Sequence, residues 1–192
     1  MDTPESRIFQ PINADDDLRL EPFAMKHSEA IFEIVDTNRE RLSEWLEWAP
    51  LTKSLEDVQA FAADAVERQQ QSGGSCEWVV FVDGTPCGVV GCTALEWQDK
   101  RTSVGAWLGK GVEGRGVAHR ALNAVIDQLF ANGIHRVEAF HAMGNERSDH
   151  LIKSLGFTEE GVLRDHEVLH GKPVDDVVFS LLSTDEREDR RR

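Results

Sequence analysis

The sequence predicts an α/β (α+β) domain in which helices flank a central sheet of mixed direction. Three observations carry this. Short runs alternate like strands, stripes of period 3.6 lie between them, and the order is helices, an antiparallel meander, then a β-α-β-α-β half. At 192 residues and 40% hydrophobic content, one domain of ordinary size can bury a substantial core.

Residues 1–16 read as a loose N-terminal arm, residues 17–182 as a single domain, and residues 183–192 as a charged, frayed tail. Leu18-Arg19-Leu20-Glu21-Pro22 alternates as a first strand. Residues 26–37 make a helix with Ala30, Ile31, Ile34 and Val35 on one side. Arg39 to Trp48 reads as a short second helix that stops before Pro50. Ser54 caps a longer helix, with Glu56 and Asp57 in its first turn. It runs to about Gln71, where Ser72-Gly73-Gly74-Ser75 breaks it. Strands follow at Glu77–Val82, Pro86–Glu96 and Thr102–Leu108, the first closed by the turn Asp83-Gly84. A long helix comes next, then a strand at Arg136–Phe140 and a helix from Glu146 to Leu155 that ends at Gly156. The last strands lie near 157–163 and 173–182. No internal repeat or linker divides the chain.

Composition narrows the function. The formal net charge is −14, with 35 acidic residues against 21 Lys and Arg, so there is no basic footprint for nucleic acid. The acidic excess serves solubility and would suit a high-salt cytoplasm, where screening tolerates self-repulsion. No apolar run approaches the roughly 20 residues of a membrane span. The polar start Met1-Asp2-Thr3-Pro4-Glu5-Ser6 is unlike a secretory signal, so a cytoplasmic location is expected. Cys76, Cys87 and Cys92 lack the paired spacing of a disulfide framework or a zinc site, and are expected as buried strand thiols with no metal.

One short stretch points to chemistry. The strand run Ser103-Val104-Gly105-Ala106-Trp107-Leu108 leads to Glu113-Gly114-Arg115-Gly116-Val117-Ala118, and this turn opens the long helix. Ala118, Leu122, Val125, Ile126, Leu129 and Phe130 form its apolar stripe, and Asn132-Gly133 stops it. A strand, a glycine turn and a helix N-terminus make a phosphate cradle, because free backbone N–H groups and the helix dipole both favour an anion. A plain strand-to-helix connection would use the same residues. The stretch is no Walker loop, since no Gly-Lys-Ser/Thr follows. It also misses the dinucleotide pattern, since His119 stands at the third glycine position.

The turn resembles the Gln/Arg-x-x-Gly-x-Gly/Ala signature of the GNAT superfamily of N-acetyltransferases, with Glu113 departing at the first position. Downstream, Asn145-Glu146-Arg147-Ser148, Leu155-Gly156-Phe157 and Glu160-Gly161-Val162-Leu163-Arg164 resemble a run of the ribosomal-protein N-terminal acetyltransferase branch. Asp175-Asp176-Val177-Val178 resembles its final strand, and Trp45-Leu46-Glu47-Trp48 its tryptophan-bearing helix. The resemblance implies a mostly antiparallel sheet splayed between the fourth and fifth strands. It implies acetyl-coenzyme A as donor. The pyrophosphate would lie on the backbone of Glu113, Gly114, Arg115, Gly116, Val117 and Ala118. The pantetheine arm would lie along Val104, Gly105, Ala106, Trp107 and Leu108. Asn145 would contact the arm, and could equally cap the following helix. A homodimer is implied as well.

Transfer to an amine needs a neutral nitrogen, a stabilised oxyanion and a proton for the departing thiolate. Many GNAT enzymes use a tyrosine as the acid, and this chain has none. The resemblance assigns that role to Ser148, which could also simply bond to the helix backbone. His141 and His150 are rival donors. As base or cation anchor the resemblance points to Glu167, with Glu96 as the second choice. Trp45 and Trp48, three apart on a helix, would wall the acceptor cleft or pack in the core. An α-amine titrates near 7.7–8.0, so on the order of a tenth is neutral at pH 7, against about one part in 2,500 for lysine. This agrees with the acceptor that the resemblance implies, a protein N-terminus, with ribosomal proteins first. The alternatives are a small amine (polyamine, amino acid or aminoglycoside-like) or a coenzyme A-binding sensor without turnover.

Overall fold

The computed structural model describes residues 9–69 and 74–187. The predicted break at Ser72-Gly73 therefore lies outside the described residues. One sheet runs through the chain. Its strands are β1 (Ile12–Asn13), β2 (Leu18–Pro22), β3 (Cys76–Val82), β4 (Thr85–Glu96), β5 (Arg101–Leu108), β6 (Arg136–Ala142), β7 (Thr158–Leu169) and β8 (Lys172–Leu182). The spatial order of these eight is β1-β2-β3-β4-β5-β6-β8-β7. Every pairing is antiparallel except β5 with β6. The helices are α1 (Ser28–Thr37), α2 (Arg39–Ser43), α3 (Leu55–Gln69), α4 (Val117–Ala131) and α5 (Glu146–Ser154).

Period-2 alternation on β3 separates two cores. Trp78, Val80 and Val82 point to the side covered by α4, through Ala121, Leu122, Val125, Ile126 and Leu129. Val79 points to the opposite side and packs with Ile31, Val35, Val58 and Ala62 of α1 and α3. Because both faces are covered, β3 reads as a nearly continuous apolar run. The buried stripe of α4 differs a little from the expected one. Val117 and Ala121 are fully buried, while Ala118 and Phe130 are only half-buried, and Ala118 faces a cleft instead.

Several boundaries differ from expectation, each for a physical reason. Residues 9–16 do not hang loose. Ile12 and Asn13 pair with Leu20 and Arg19, and the Trp78 indole donates to the Gln10 carbonyl. This two-residue edge strand has no periodic signal of its own, and it makes the splayed strands the fifth and sixth of the sheet. The second helix stops at Ser43, so Trp45 and Trp48 lie on a series of turns. Arg39 fixes these turns by donating to the carbonyls of Ala49 and Thr52. Strand β7 extends to Leu169, beyond the expected 163. Its charged stretch Arg164-Asp165-His166-Glu167 shows no alternation because it is an exposed sheet edge. Past β8, Ser183 donates to the His135 carbonyl and Arg187 pairs with Asp127 at 2.5 Å.

Three strands on the C-terminal side are tied by one arginine. Arg136 of β6 donates to both carboxylate oxygens of Glu160 on β7 and, through Nε, to Glu138 at 2.7 Å. Ser180 of β8 donates to the same Glu160 at 2.7 Å. The Arg136 guanidinium first, then the Ser180 hydroxyl, hold the Glu160 carboxyl down at about 2. A depressed carboxyl contributes stability that is complete above its unfolded value, near 4.3, and lost as pH falls toward 2. Glu160→Gln should therefore lower the melting temperature at pH 7 and flatten its decline between about pH 4 and 2, read by circular dichroism melts against pH.

Candidate functional site

Strands β5 and β6 pair in register only at Arg101–Ser103 with Arg136–Glu138. Beyond that they part. β5 stays with β4 as far as Leu108 opposite Gly88, and β6 stays with β8 as far as Ala142 opposite Asp176. Each strand follows the twist of its own partner, so the gap opens like a V. The cleft between them has a volume of about 870 Å³. Its walls include Val104 to Leu108, Ala139 to Ala142, the first turn of α5 and Trp45. The edge of β5 facing the gap has lost its strand partner, and backbone N–H and C=O groups demand one. An extended amide-bearing chain would satisfy it. A Cβ at Gly105 would meet nothing within 4 Å, so there is room for such a chain.

The glycine turn lies at the start of α4. Gly114 (φ +74°) and Gly116 (φ +65°) both take the left-handed conformation that favours glycine, and a Cβ on either would enter open space. Gly116 is the N-cap, and it places no side chain over the first N–H groups of α4. Those groups have no acceptor within the helix. The side chains of the turn are engaged elsewhere. Arg115 points to Asp83 at 3.1 Å and Asp17 at 3.4 Å, so its side chain is turned to these carboxylates. Glu113 pairs with Arg147 at 2.7 Å and with Arg41 at 3.6 Å, and the Arg147 guanidinium holds its carboxyl below the usual range. Both arginines line the cleft. Arg41 also donates to the Leu108 carbonyl.

Asn145 caps α5 by accepting from the Ser148 N–H at 3.1 Å. Because the asparagine does the capping, the Ser148 hydroxyl makes no hydrogen bond to the described residues and stands free on the cleft wall. His141 is buried, with Nε2 3.4 Å from Asp149. His150 is exposed and outside the cleft lining. Glu167, His166 and Asp176 also line the cleft. Burial first, then the carboxylates of Asp176 and Glu47, push the Glu167 carboxyl above its usual range. His166 meets Asp176 at 2.7 Å.

The cleft lining takes in Val104 to Leu108, Ala118, Asn145, Ser148, Glu167 and Trp45 of the expected site, while Glu113 to Val117 lie outside it, next to Ala118. Glu96 lies apart at the far end of β4, paired to Arg101 at 2.9 Å, so its carboxylate is not offered to the cleft. Trp48 packs on Trp107 with ring centroids 5.3 Å apart and supports the wall from behind, while Trp45 lines it. Cys76, Cys87 and Cys92 are buried and free, and none lines the cleft. Burial pushes the Cys87 thiol up to about 11 and Cys92 up to about 12. Among the described residues no cluster of His, Cys, Asp or Glu could hold a metal ion, and no helix is long and apolar enough to cross a membrane.

Arg41, Arg147, His166 and Asp176 were not singled out by sequence reasoning. Two of them left a trace. Arg147 is a cation in the first turn of a helix, where the dipole disfavours it, and Asp176 is a carboxylate inside an apolar strand.

Comparison with known proteins agrees with this geometry. The acetyltransferase (GNAT) domain family matches residues 17–158. YdaF of Bacillus subtilis, provisionally named a ribosomal N-acetyltransferase, is 30% identical over 164 residues, covering 85% of this chain and 88% of that protein. The ribosomal-protein-serine acetyltransferase of Escherichia coli is 25% identical over 164 residues, covering 85% and 91%. A solved structure of RimL, a ribosomal L7/L12 α-N-protein acetyltransferase in complex with coenzyme A, superposes with a TM-score of 0.86 at 23% identity, covering 90% of this chain and 97% of that one. The chain therefore belongs to the GNAT family of acetyltransferases.

Proposed function

We propose that this GNAT enzyme carries the acetyl group of acetyl-coenzyme A to the N-terminal α-amine of a protein, a ribosomal protein above all. The observation that carries this is a cleft lined by Ala118, next to the open glycine turn, by Ser148 and by the carboxylates of Glu167 and Asp176. The cradle fits a pyrophosphate, because Gly114 and Gly116 leave free the space a Cβ would take. The unpaired edge of β5 fits the amides of a pantetheine arm. Bound there, acetyl-coenzyme A supplies the activated thioester carbonyl. Asn145 meets the arm while it caps α5. Ser148 Oγ, free of backbone bonds, gives a proton to the thiolate. Glu167 meets the amine, and Trp45 walls the acceptor end.

The buried thiols, held protonated and away from the cleft, support direct transfer within a ternary complex. The names of the B. subtilis and E. coli relatives support a ribosomal-protein acceptor. The acidic acceptor end also suits a polyamine, which is the second reading. The same proposal takes residues 17–182 as the catalytic domain, with action in the cytoplasm as a homodimer.

Three outcomes are expected. In a screen of thiol release from acetyl-coenzyme A, peptides with a free N-terminus should turn over well above polyamines and free amino acids. Turnover on small amines alone would sink the protein-acceptor reading, and coenzyme A binding with no turnover on any amine would indicate a sensor. Ser148→Ala should lower kcat about a hundredfold with the KM for acetyl-coenzyme A little changed. Finally, Glu113 sets a carboxylate beside the phosphate cradle, and Arg147 offsets it. Arg147→Ala should weaken acetyl-coenzyme A binding about three- to tenfold at low salt, and clearly less when Glu113→Gln is also present, as measured by calorimetry.

A further inference from the structure

We propose that His166 takes the proton from the acceptor amine on its Nε2, with the Asp176 carboxylate holding the ring in place. This rests on the acetyl-transfer reading above and names the proton acceptor within it. The sheet builds the pair through a bulge in β7. Leu163 stands opposite Asp176 and Glu167 opposite Val174, so three residues of β7 face the single Asp175. Asp165, with φ +50°, donates its N–H to Asp175 Oδ1 at 2.9 Å and pins the bulge. The neighbouring residues His166 and Glu167, which regular alternation would send to opposite faces, thereby line the same cleft.

The ring is fixed on two sides. Phe140 of β6 stacks on it at 5.7 Å and 22°. His166 Nδ1 lies 2.7 Å from Asp176 Oδ2. A carboxylate can only accept, so the proton of a neutral imidazole lies on Nδ1 and the lone pair on Nε2. Nε2 has no partner among the described residues. Asp176 is buried at 4% exposure, and its Oδ1 has no hydrogen-bond partner. The His166 ring is therefore the one side-chain partner of this buried carboxylate among the described residues. Glu167 next to it on β7 feels the charges of Asp176, of Glu47 from the loop after α2 and of His166 itself, and Arg41, Arg147, Glu44 and Glu146 line the same cleft. Further along β6, Glu138 is already paired with Arg136.

Geometry favours the imidazole over the carboxylate, because His166 Nε2 is an open acceptor on a ring held by Asp176 and Phe140. Glu167 then serves as the anion that attracts the ammonium. The amine loses two protons in all. One passes to His166 Nε2 and, since the side chain is half-exposed, on to solvent. As the C–N bond forms and the C–S bond breaks, the other leaves the nitrogen for Ser148 Oγ and replaces the proton that this hydroxyl gives to the thiolate.

The test compares wild type, His166→Gln, Asp176→Asn and Glu167→Gln on an N-terminal peptide at pH 7 and pH 9. Acetyl-coenzyme A affinity is measured by calorimetry, and ring nitrogens are observed by 15N NMR on the unloaded protein. His166→Gln should lose about a hundredfold in kcat at pH 7 and tenfold or less at pH 9, where most of the amine is already neutral, with acetyl-coenzyme A affinity unchanged. Asp176→Asn should lose about tenfold and abolish the Nδ1–H tautomer seen in wild type. His166 is half-exposed, so its variant should fold even where the buried Asp176 variant does not. A wild-type ring found as the Nε2–H tautomer, a His166→Gln enzyme within threefold of wild type, or an equal deficit at both pH values would overturn the assignment. A wild-type protein that fails to bind acetyl-coenzyme A would instead overturn the transfer reading, and the dyad's role with it.

Discussion

The short parallel ladder between β5 and β6 is the constraint on which the rest of the structure depends. It closes the sheet for three residue pairs and then releases it, because β5 continues with β4 and β6 with β8. Longer pairing would bring the strands together along their length and leave no cleft. Earlier separation would divide the sheet and the core under α4. Arg136, at the first paired position of β6, ties that strand to Glu160 on β7, and Glu160 is in turn held by Ser180 on β8. The C-terminal half of the sheet is thus held firmly on the side away from the opening.

Both signs of charge line the opening. Arg41 and Arg147 pair with Glu113 of the glycine turn, and Glu44, Glu146, Glu167 and Asp176 line the cleft as well, with His166. The two arginines are the cations a phosphate-bearing donor would meet, in a protein whose net charge of −14 would otherwise repel it. Glu113 is the apparent misfit, an anion at the anionic ligand's own turn. Its pairing with the two arginines explains how the turn tolerates it.

Much of this was legible in the sequence. The turn from Glu113 to Ala118 was readable because left-handed backbone at two positions requires glycine, and the helix after it has a clear period. Asn145 and Ser148 were readable because a cap and its spacing are local. Trp45 and Trp48 were placed on a helix that does not extend so far, because the bonds from Arg39 to the Ala49 and Thr52 carbonyls span 10 and 13 residues. Glu96 was put in the site by its position on a strand, but a strand does not say which end of the sheet bears the cleft. His166 and Asp176 are ten residues apart and meet only because the β7 bulge shifts the register.

The sequence by itself determined the order of the elements and the glycine turn, which rest on local backbone demands and short-range periodicity, and its motifs resembled the family that the comparison shows. Only the tertiary structure decided which charges meet: Glu113 with Arg147, His166 with Asp176, and Glu96 with Arg101 away from the cleft. The physical reason is that Coulomb and hydrogen-bond partners are set by distance in space. A bulge, a parting of two strands and an edge strand of two residues fix those distances without leaving a periodic mark in the chain.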